Sequence, residues 1–268
     1  MTVVSLRRED RRRIRGLRRR AVGISIRETG SEREARVRRN LWGRLFAAAI
    51  LLPLALAACA PSQAVRSEAE WPTRDVLAAY GEMDAGQFVV PAIPLRYLTP
   101  TTVRQLVDFW TDEPPGSIVV DPYSYFLYYV MGDNKAVRYR IGVGAAGRTF
   151  AGRASVGFKR EWPYWTPTAN MIRIEPALYG PWAGGMAPGP ANPLGARAMY
   201  LYRGGRDSMY RIHGTYEPGS IGNSQSAGCI RMFQQDAIHL YGKVQIGARV
   251  RVLGPAETGL GTSPSRPA

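Results

Sequence analysis

Apolar residues fall along this chain in short alternating runs, with few long helical stripes. Residues 118–121 (Ile-Val-Val-Asp) read as a strand, 122–124 as a turn, and 125–131 as a second strand rich in aromatic and branched residues. Residues 132–135 close a hairpin. Across 136–143, alternation places Val137, Tyr139 and Ile141 on one face. Further strand patterns cover 148–158, 198–202, 209–212 and 248–253; in 209–212, Met209 and Arg211 share one face, Tyr210 and Ile212 the other. Helical patterns appear at 74–80, behind a Pro72-Thr73 start signal, and at 232–241. Residues 101–110 also carry apolar side chains at helical spacing (Val103, Leu106, Val107, Trp110). The pattern predicts an all-β domain with one substantial helix near its end.

Breakers divide the chain. Pro91, Pro94 and Pro100 cut the approach to the domain into extended pieces, and Pro114-Pro115-Gly116 marks its edge. Residues 162–168 form an aromatic and proline cluster, which either caps the core or walls a groove. The glycine- and proline-rich stretch 176–193 is long enough for a functional flap. The glycines of 142–147 do not make a dinucleotide fingerprint, because a strand pattern follows them where a helix is required. The segments are therefore 1–44, a basic disordered region; 45–59, an apolar export signal; 60–113, a tether and extended arm; 114–254, the folded domain; and 255–268, a small, polar, disordered tail.

Composition changes this picture in one respect. The 268 residues carry a net charge of +15, but residues 1–58 alone hold fifteen arginines against five acids. The basic excess therefore lies mostly outside the folded domain, and nucleic acid is not the expected partner. Arg38, Arg39 and Arg44 precede an apolar run at 45–58, shorter than the roughly 20 residues of a spanning helix. Because the basic leader is long, translation is expected to begin near Val37 or Leu41; residues 38–41 loosely resemble a twin-arginine motif.

The chemistry concentrates in two short stretches. Arg211-Ile212-His213-Gly214-Thr215 and Ser226-Ala227-Gly228-Cys229-Ile230-Arg231-Met232 hold one of two histidines and one of two cysteines. The loop between them is rich in breakers (Gly214, Pro218, Gly219, Gly222, Asn223), so the chain can double back and set His213 beside Cys229. A nucleophilic thiol needs such a base, together with donors for the oxyanion it creates. The helical pattern at 232–241 predicts that Cys229 stands just ahead of a helix start, where the local field favours thiolate and oxyanion. His239 reads as a half-exposed helix residue, and two histidines with one thiol fall short of a zinc site, so no metal or cofactor is expected.

These residues resemble the L,D-transpeptidase family, whose signature is a histidine, a loop, then Ser or Thr, His, Gly, Cys, an apolar residue and Asn or Arg. Here it falls on His213, Ser226, Gly228, Cys229, Ile230 and Arg231, and the likeness covers roughly 117–253. Ala227 departs from it, where many members carry a second histidine. The resemblance implies a mostly β sandwich or half-open barrel of short strands, with one helix after Cys229 and an extended end to the 101–110 arm. It further implies a thioester on Cys229, with His213 as base and a carbonyl near Gly214 orienting the imidazole. The Gly228 and Cys229 amides would hold the oxyanion. Ser226 and Arg231 would contact substrate, although Arg231 fits a structural ion pair equally well.

The implied donor is a peptidoglycan stem tetrapeptide, and the implied product is a cross-link or a link between the wall and an outer-membrane protein. Hydrolysis by a thiol peptidase and a non-catalytic wall-binding lipoprotein are the alternatives. Leu56-Ala57-Ala58-Cys59 resembles the lipobox of bacterial lipoproteins, implying lipidation at Cys59 and a periplasmic, outer-membrane-anchored protein. An ordinary signal peptide, cut near 55–57, is the other reading.

Overall fold

The computed structural model describes residues 71–144, 149–224 and 228–268. The first element is α1 (Arg74–Tyr80), where the Thr73 hydroxyl accepts a hydrogen bond from the Val76 N–H. A small hairpin, β1 (Met83–Asp84) and β2 (Val89–Val90), follows. Next come β3 (Gln105–Asp108), β4 (Ile118–Asp121), β5 (Phe126–Gly132), β6 (Lys135–Arg140), β7 (Gly142–Val143) and β8 (Gly152–Glu161). Two short helices, α2 (Ala169–Ile174) and α3 (Pro176–Tyr179), lead into β9 (Arg197–Arg203) and β10 (Arg206–Thr215). The described chain continues with β11 (Ile230–Phe233), α4 (Gln234–Lys243) and β12 (Arg249–Val252).

The expected mostly β fold is present as one mixed ten-stranded sheet, in the order β3-β6-β5-β4-β12-β8-β9-β10-β11-β7. The pairs β4/β12 and β10/β11 are parallel, which requires crossovers; the other neighbours are antiparallel. One face of the sheet closes on a core of Ile118, Val120, Tyr139, Met199, Ile212 and Met232, into which α4 inserts Ala237 and Leu240. The opposite face of β4–β6 carries a second cluster, where Val119, Tyr128 and Val130 meet Phe109 and Leu253. All four residues of β4 are therefore buried, and its sequence is continuously apolar up to Asp121.

Two segment boundaries need correction. The arm is not separate from the folded domain, because β3 is the edge strand of the same sheet, with Leu106 opposite Val137. Upstream of it, Tyr80, Leu98 and Val103 pack on Phe233. Four residues of alternating burial are too few to distinguish strand from helix by periodicity, which is why the spacing at 101–110 was ambiguous. The tail is also ordered: the Ala268 N–H donates to the Trp110 carbonyl at 2.8 Å, and the Thr111 hydroxyl donates to the Ala268 carbonyl at 2.8 Å. Its polar composition suits an exposed strap whose backbone covers Phe109, itself stacked on Tyr128 at 4.2 Å.

A chain shortened by residues 261–268 should lose about 2–4 kcal/mol of stability, the scale of uncovering one large core side chain. The denaturant midpoint measures this, and an unchanged midpoint would show that the strap contributes nothing.

Candidate active site

The parallel pairing of β10 with β11 places Ile212 opposite Ile230 and His213 opposite Arg231. Both isoleucines belong to the main core, so alternation turns His213, Arg231 and, one residue before Ile230, Cys229 to the other face. A cavity of about 430 Å³ lies there, lined by His213, Gly228, Cys229 and Arg231. Trp165, Tyr179, Trp182, Met186 and Met209 contribute to its apolar walls.

Local geometry explains how the chain enters this site. Gly228 has φ of 149°, in a region that favours glycine, immediately before the thiol. Upstream, the chain turns after Thr215, whose hydroxyl accepts from the Glu217 N–H at 3.1 Å, and passes through a short 3₁₀ turn at Pro218–Ser220. Gly142 on β7 lets that turn approach closely, since a Cβ there would meet the Ser220 carbonyl oxygen at 2.4 Å.

His213 is 3% exposed, and its Nδ1 donates to the carbonyl oxygen of Gly214 at 2.7 Å. In the neutral ring this leaves Nε2 as the basic nitrogen. Burial lowers its pKa to about 4, against the raising effect of the Gly214 carbonyl, so the imidazole is neutral at physiological pH. Cys229 is half-buried, and burial pushes its thiol upward. A backbone hydrogen bond from Arg211 and the charges of Arg211 and Arg231 oppose that rise. The cavity thus holds a thiol and a neutral imidazole.

The helix expected just after Cys229 starts later, because β11 occupies 230–233 and α4 begins at Gln234. Ile230, Met232 and Phe233 satisfy a strand or a helix pattern equally, and pairing with β10 decides for the strand. A helix dipole therefore does not act on the thiol, and the amides available are those of the Gly228-Cys229 bend.

Arg231 donates to Glu217 Oε2 at 2.7 Å; its side chain is 19% exposed and that of Glu217 72%. Arg211 is held elsewhere, by a two-pronged contact to Asp207 at 2.7 and 2.8 Å and by the Tyr200 ring at 4.2 Å. A bulge between Asp207 and Arg211, with Met209 at φ of 65°, breaks the alternation expected for 209–212, and both Met209 and Tyr210 line the cavity. The aromatic cluster divides its duties. Trp162 is buried and donates to the Ala85 carbonyl at 2.9 Å, whereas Trp165 walls the cavity. The 176–193 stretch contributes Leu178, Tyr179, Trp182 and Met186 to that wall. His239 lies on α4 outside the cavity, its Nδ1 bonded to the Tyr139 hydroxyl at 2.7 Å. Ser226 and Cys59 lie outside the described residues.

Two contributors were not evident from spacing. Glu217 was invisible as a partner of Arg231 because fourteen residues and a turn separate them. Gln234 supports the floor of the site: its Oε1 accepts from the Ala196 N–H at 2.9 Å, and a Cβ on Gly214 would meet that oxygen at 2.1 Å. A polar residue opening an amphipathic helix gives no signal of burial until the packing is known.

Known proteins bear on this geometry. The chain is 36% identical over 165 residues to the Escherichia coli (strain K12) protein named Probable L,D-transpeptidase ErfK/SrfK, covering 60% of this chain and 48% of the relative. It is 31% identical over 163 residues to Probable L,D-transpeptidase YbiS of the same organism, with coverage of 60% and 48%. The chain thus spans about half the length of these relatives. Among solved structures, a Brucella melitensis protein named a probable carnitine operon oxidoreductase is 48% identical, covering 59% of this chain and 98% of its own, with a TM-score of 0.41. That score is too low to carry an argument from its name. The L,D-transpeptidase catalytic domain family, YkuD, matches residues 115–252, more than half of the chain, and the chain belongs to that family.

Proposed function

We propose that the protein is a cysteine-dependent L,D-transpeptidase acting on peptidoglycan stem peptides, with Cys229 as nucleophile and His213 as base. The observation that carries this reading is the Nδ1 bond to Gly214 within a cavity that His213 and Cys229 share. It leaves the basic Nε2 for the thiol proton. In the proposed cycle, Nε2 accepts that proton as Sγ attacks the peptide carbonyl carbon. The resulting oxyanion lies at the Gly228 and Cys229 amides. Collapse breaks the C–N bond, the imidazolium returns its proton to the departing amine, and a thioester remains. An acceptor amine then attacks the thioester, gives its proton to His213 and releases the thiol. Arg231, with Ser226, is assigned to the substrate, its guanidinium suiting a carboxylate. Cross-linking, or attachment of a protein to the wall, follows from which amine arrives.

A cell-envelope setting accords with the family. We place the protein in the periplasm, anchored to the outer membrane through a lipid on Cys59. Among the described residues, no helix is long and apolar enough to cross a membrane.

Intact-mass measurement after incubation with a stem tetrapeptide tests the reading. The wild type should gain the acyl tripeptide mass and Cys229→Ala should not; His213→Ala should lower kcat/KM by about 10²–10⁴-fold. Free tripeptide without dimer would instead identify water as the acceptor, and no adduct at all would leave a wall-binding protein with an inert thiol.

Because burial raises the thiol and lowers the imidazole, deprotonation of Cys229 in the free enzyme follows rising pH. Alkylation by iodoacetamide, read by mass, should accelerate continuously between about pH 6 and about pH 9. A fast, pH-independent plateau through the acidic range would reveal a preformed thiolate–imidazolium pair and overturn this account.

Gly214→Ala should push Gln234 aside and displace the carbonyl that orients His213. The expected cost is about 10²-fold in thioester formation, with far-UV circular dichroism unchanged.

A further inference from the structure

Gln234 opens α4, but its side chain turns away from the helix and from solvent. It is 2% exposed, and its Oε1 accepts from the Ala196 N–H at 2.9 Å. That contact fixes which way the amide lies, because the flipped alternative would set its NH2 against another donor. Nε2 is then left buried, with no partner among the described residues. Were the position only filling space, an apolar side chain would avoid the unmade hydrogen bonds. The amide is retained at a cost, which points to a role for its placement.

Two glycines make that placement possible. Gly195, at φ of 64°, and Gly214 flank the amide, and a Cβ on either would run into it. Gly214 supplies the carbonyl that receives His213 Nδ1 at 2.7 Å. Gly195 follows the 176–193 stretch and is tied back to it, its N–H donating to the Asn192 carbonyl at 3.0 Å. Asn192 is 1% exposed, and its Nδ2 donates to the carbonyls of Pro163, Met186 and Ala187 at 3.0, 3.2 and 3.1 Å. The loop that carries Met186, Pro193 and Leu194 into the cavity wall is therefore anchored just before Gly195. One side chain thus spaces that wall from the peptide that orients the imidazole. Among the described residues, the cavity lining does not include Gln234, so it reaches the reaction only through Gly214.

We propose that Gln234 is a positioning residue for His213: its amide, wedged between Gly195 and Gly214, holds the Gly214 carbonyl where it keeps Nδ1 protonated and Nε2 free for the thiol proton. This rests on the transpeptidase reading and adds to it a residue outside the cavity on which turnover depends. Methionine at this position would keep the volume but leave the Ala196 N–H unpaired and the Gly214 peptide free to tilt.

The test reads the imidazole directly. Nitrogen-15 spectra of histidine-labelled protein, with His239→Gln to identify the second ring, report which nitrogen of His213 carries the proton. The wild type should show the Nδ1–H tautomer alone, and Gln234→Met a mixture of both. With a stem tetrapeptide, Gln234→Met should lower kcat for thioester formation by about 10²-fold while KM stays within about twofold. Gln234→Glu, whose neutral carboxyl copies the amide, should recover most of the wild-type rate in acid. Measured against wild type at each pH, that recovery should disappear as the carboxyl ionises with rising pH. A lowered melting temperature with tautomer and kcat unchanged would reduce Gln234 to packing and overturn the proposal. Should Gln234→Met fail to fold, Gln234→Glu decides alone, and a rate ratio to wild type that does not vary with pH has the same force. Tautomer mixing by Gln234→Met, in a protein whose wild type forms no thioester, would sustain the positioning role while refuting the transpeptidase reading. A wild-type thioester, with tautomer and kcat both indifferent to residue 234, would do the reverse.

Discussion

Everything at the cavity depends on one short parallel ladder, β10 against β11. Its register, Ile212 to Ile230 and His213 to Arg231, is held because the two isoleucines must face the core together. A slip of one residue would bury Arg231 in hydrocarbon and expose Ile230. The same alternation that buries apolar residues therefore puts the thiol, the imidazole and the guanidinium on the opposite face. Parallel pairing cannot be closed by a tight hairpin, so the chain between the strands has to be a crossover. That crossover brings Glu217 to the cavity and sets the Pro218–Ser220 turn against Gly142 of β7. Core packing and site geometry are thus one constraint.

The start of α4 extends that constraint to the rest of the domain. Gln234, Gln235 and Asp236 are all buried, three polar residues in succession where the helix enters the protein. Each serves a different neighbour. Gln234 accepts from Ala196 beneath Gly214, Gln235 donates to the carbonyls of Gly81 and Pro91 at 3.0 Å, and Asp236 accepts from Tyr80 at 2.8 Å and Arg104 at 3.0 Å. Buried polar groups are costly unless partnered, so these contacts specify how the 71–108 segment lies on the domain more than they add net stability. Burial raises the Asp236 carboxyl to about 6, the Arg104 charge opposing the rise. The N-terminal segment is accordingly part of the architecture that positions β11.

Much of this was legible in the sequence, for reasons that differ by element. β4 and β5 were readable because apolar runs lay between strong turn signals, and α1 because Thr73 supplies a cap. The site histidine and cysteine stood out by rarity and by the breakers between them. The start of α4 was misplaced because Met232 and Phe233 fit either periodicity, and only the β10 partner, distant in sequence, selects a strand. The tail was misread because composition reports side-chain polarity, whereas the strap is held mainly by backbone hydrogen bonds to Trp110. Glu217 and Gln234 act through contacts that exist only after folding, so no spacing rule could find them.

Under the proposed mechanism, burial has opposite effects on ground state and reaction. It keeps imidazole and thiol neutral, which makes the resting nucleophile weak and spares a thiol near an open cavity from indiscriminate chemistry. The same removal from water strengthens every interaction that forms as charge develops, above all the amide hydrogen bonds to the oxyanion. Reactivity is then tied to a bound acyl group, because only a carbonyl carbon can receive the electrons that make proton transfer to His213 worthwhile. A site of this kind does not need the helix dipole expected from the sequence. It needs a fixed tautomer, a glycine free to take positive φ ahead of the thiol and apolar walls around the acyl group, and β10, Gly228 and the 176–193 stretch are placed to provide them.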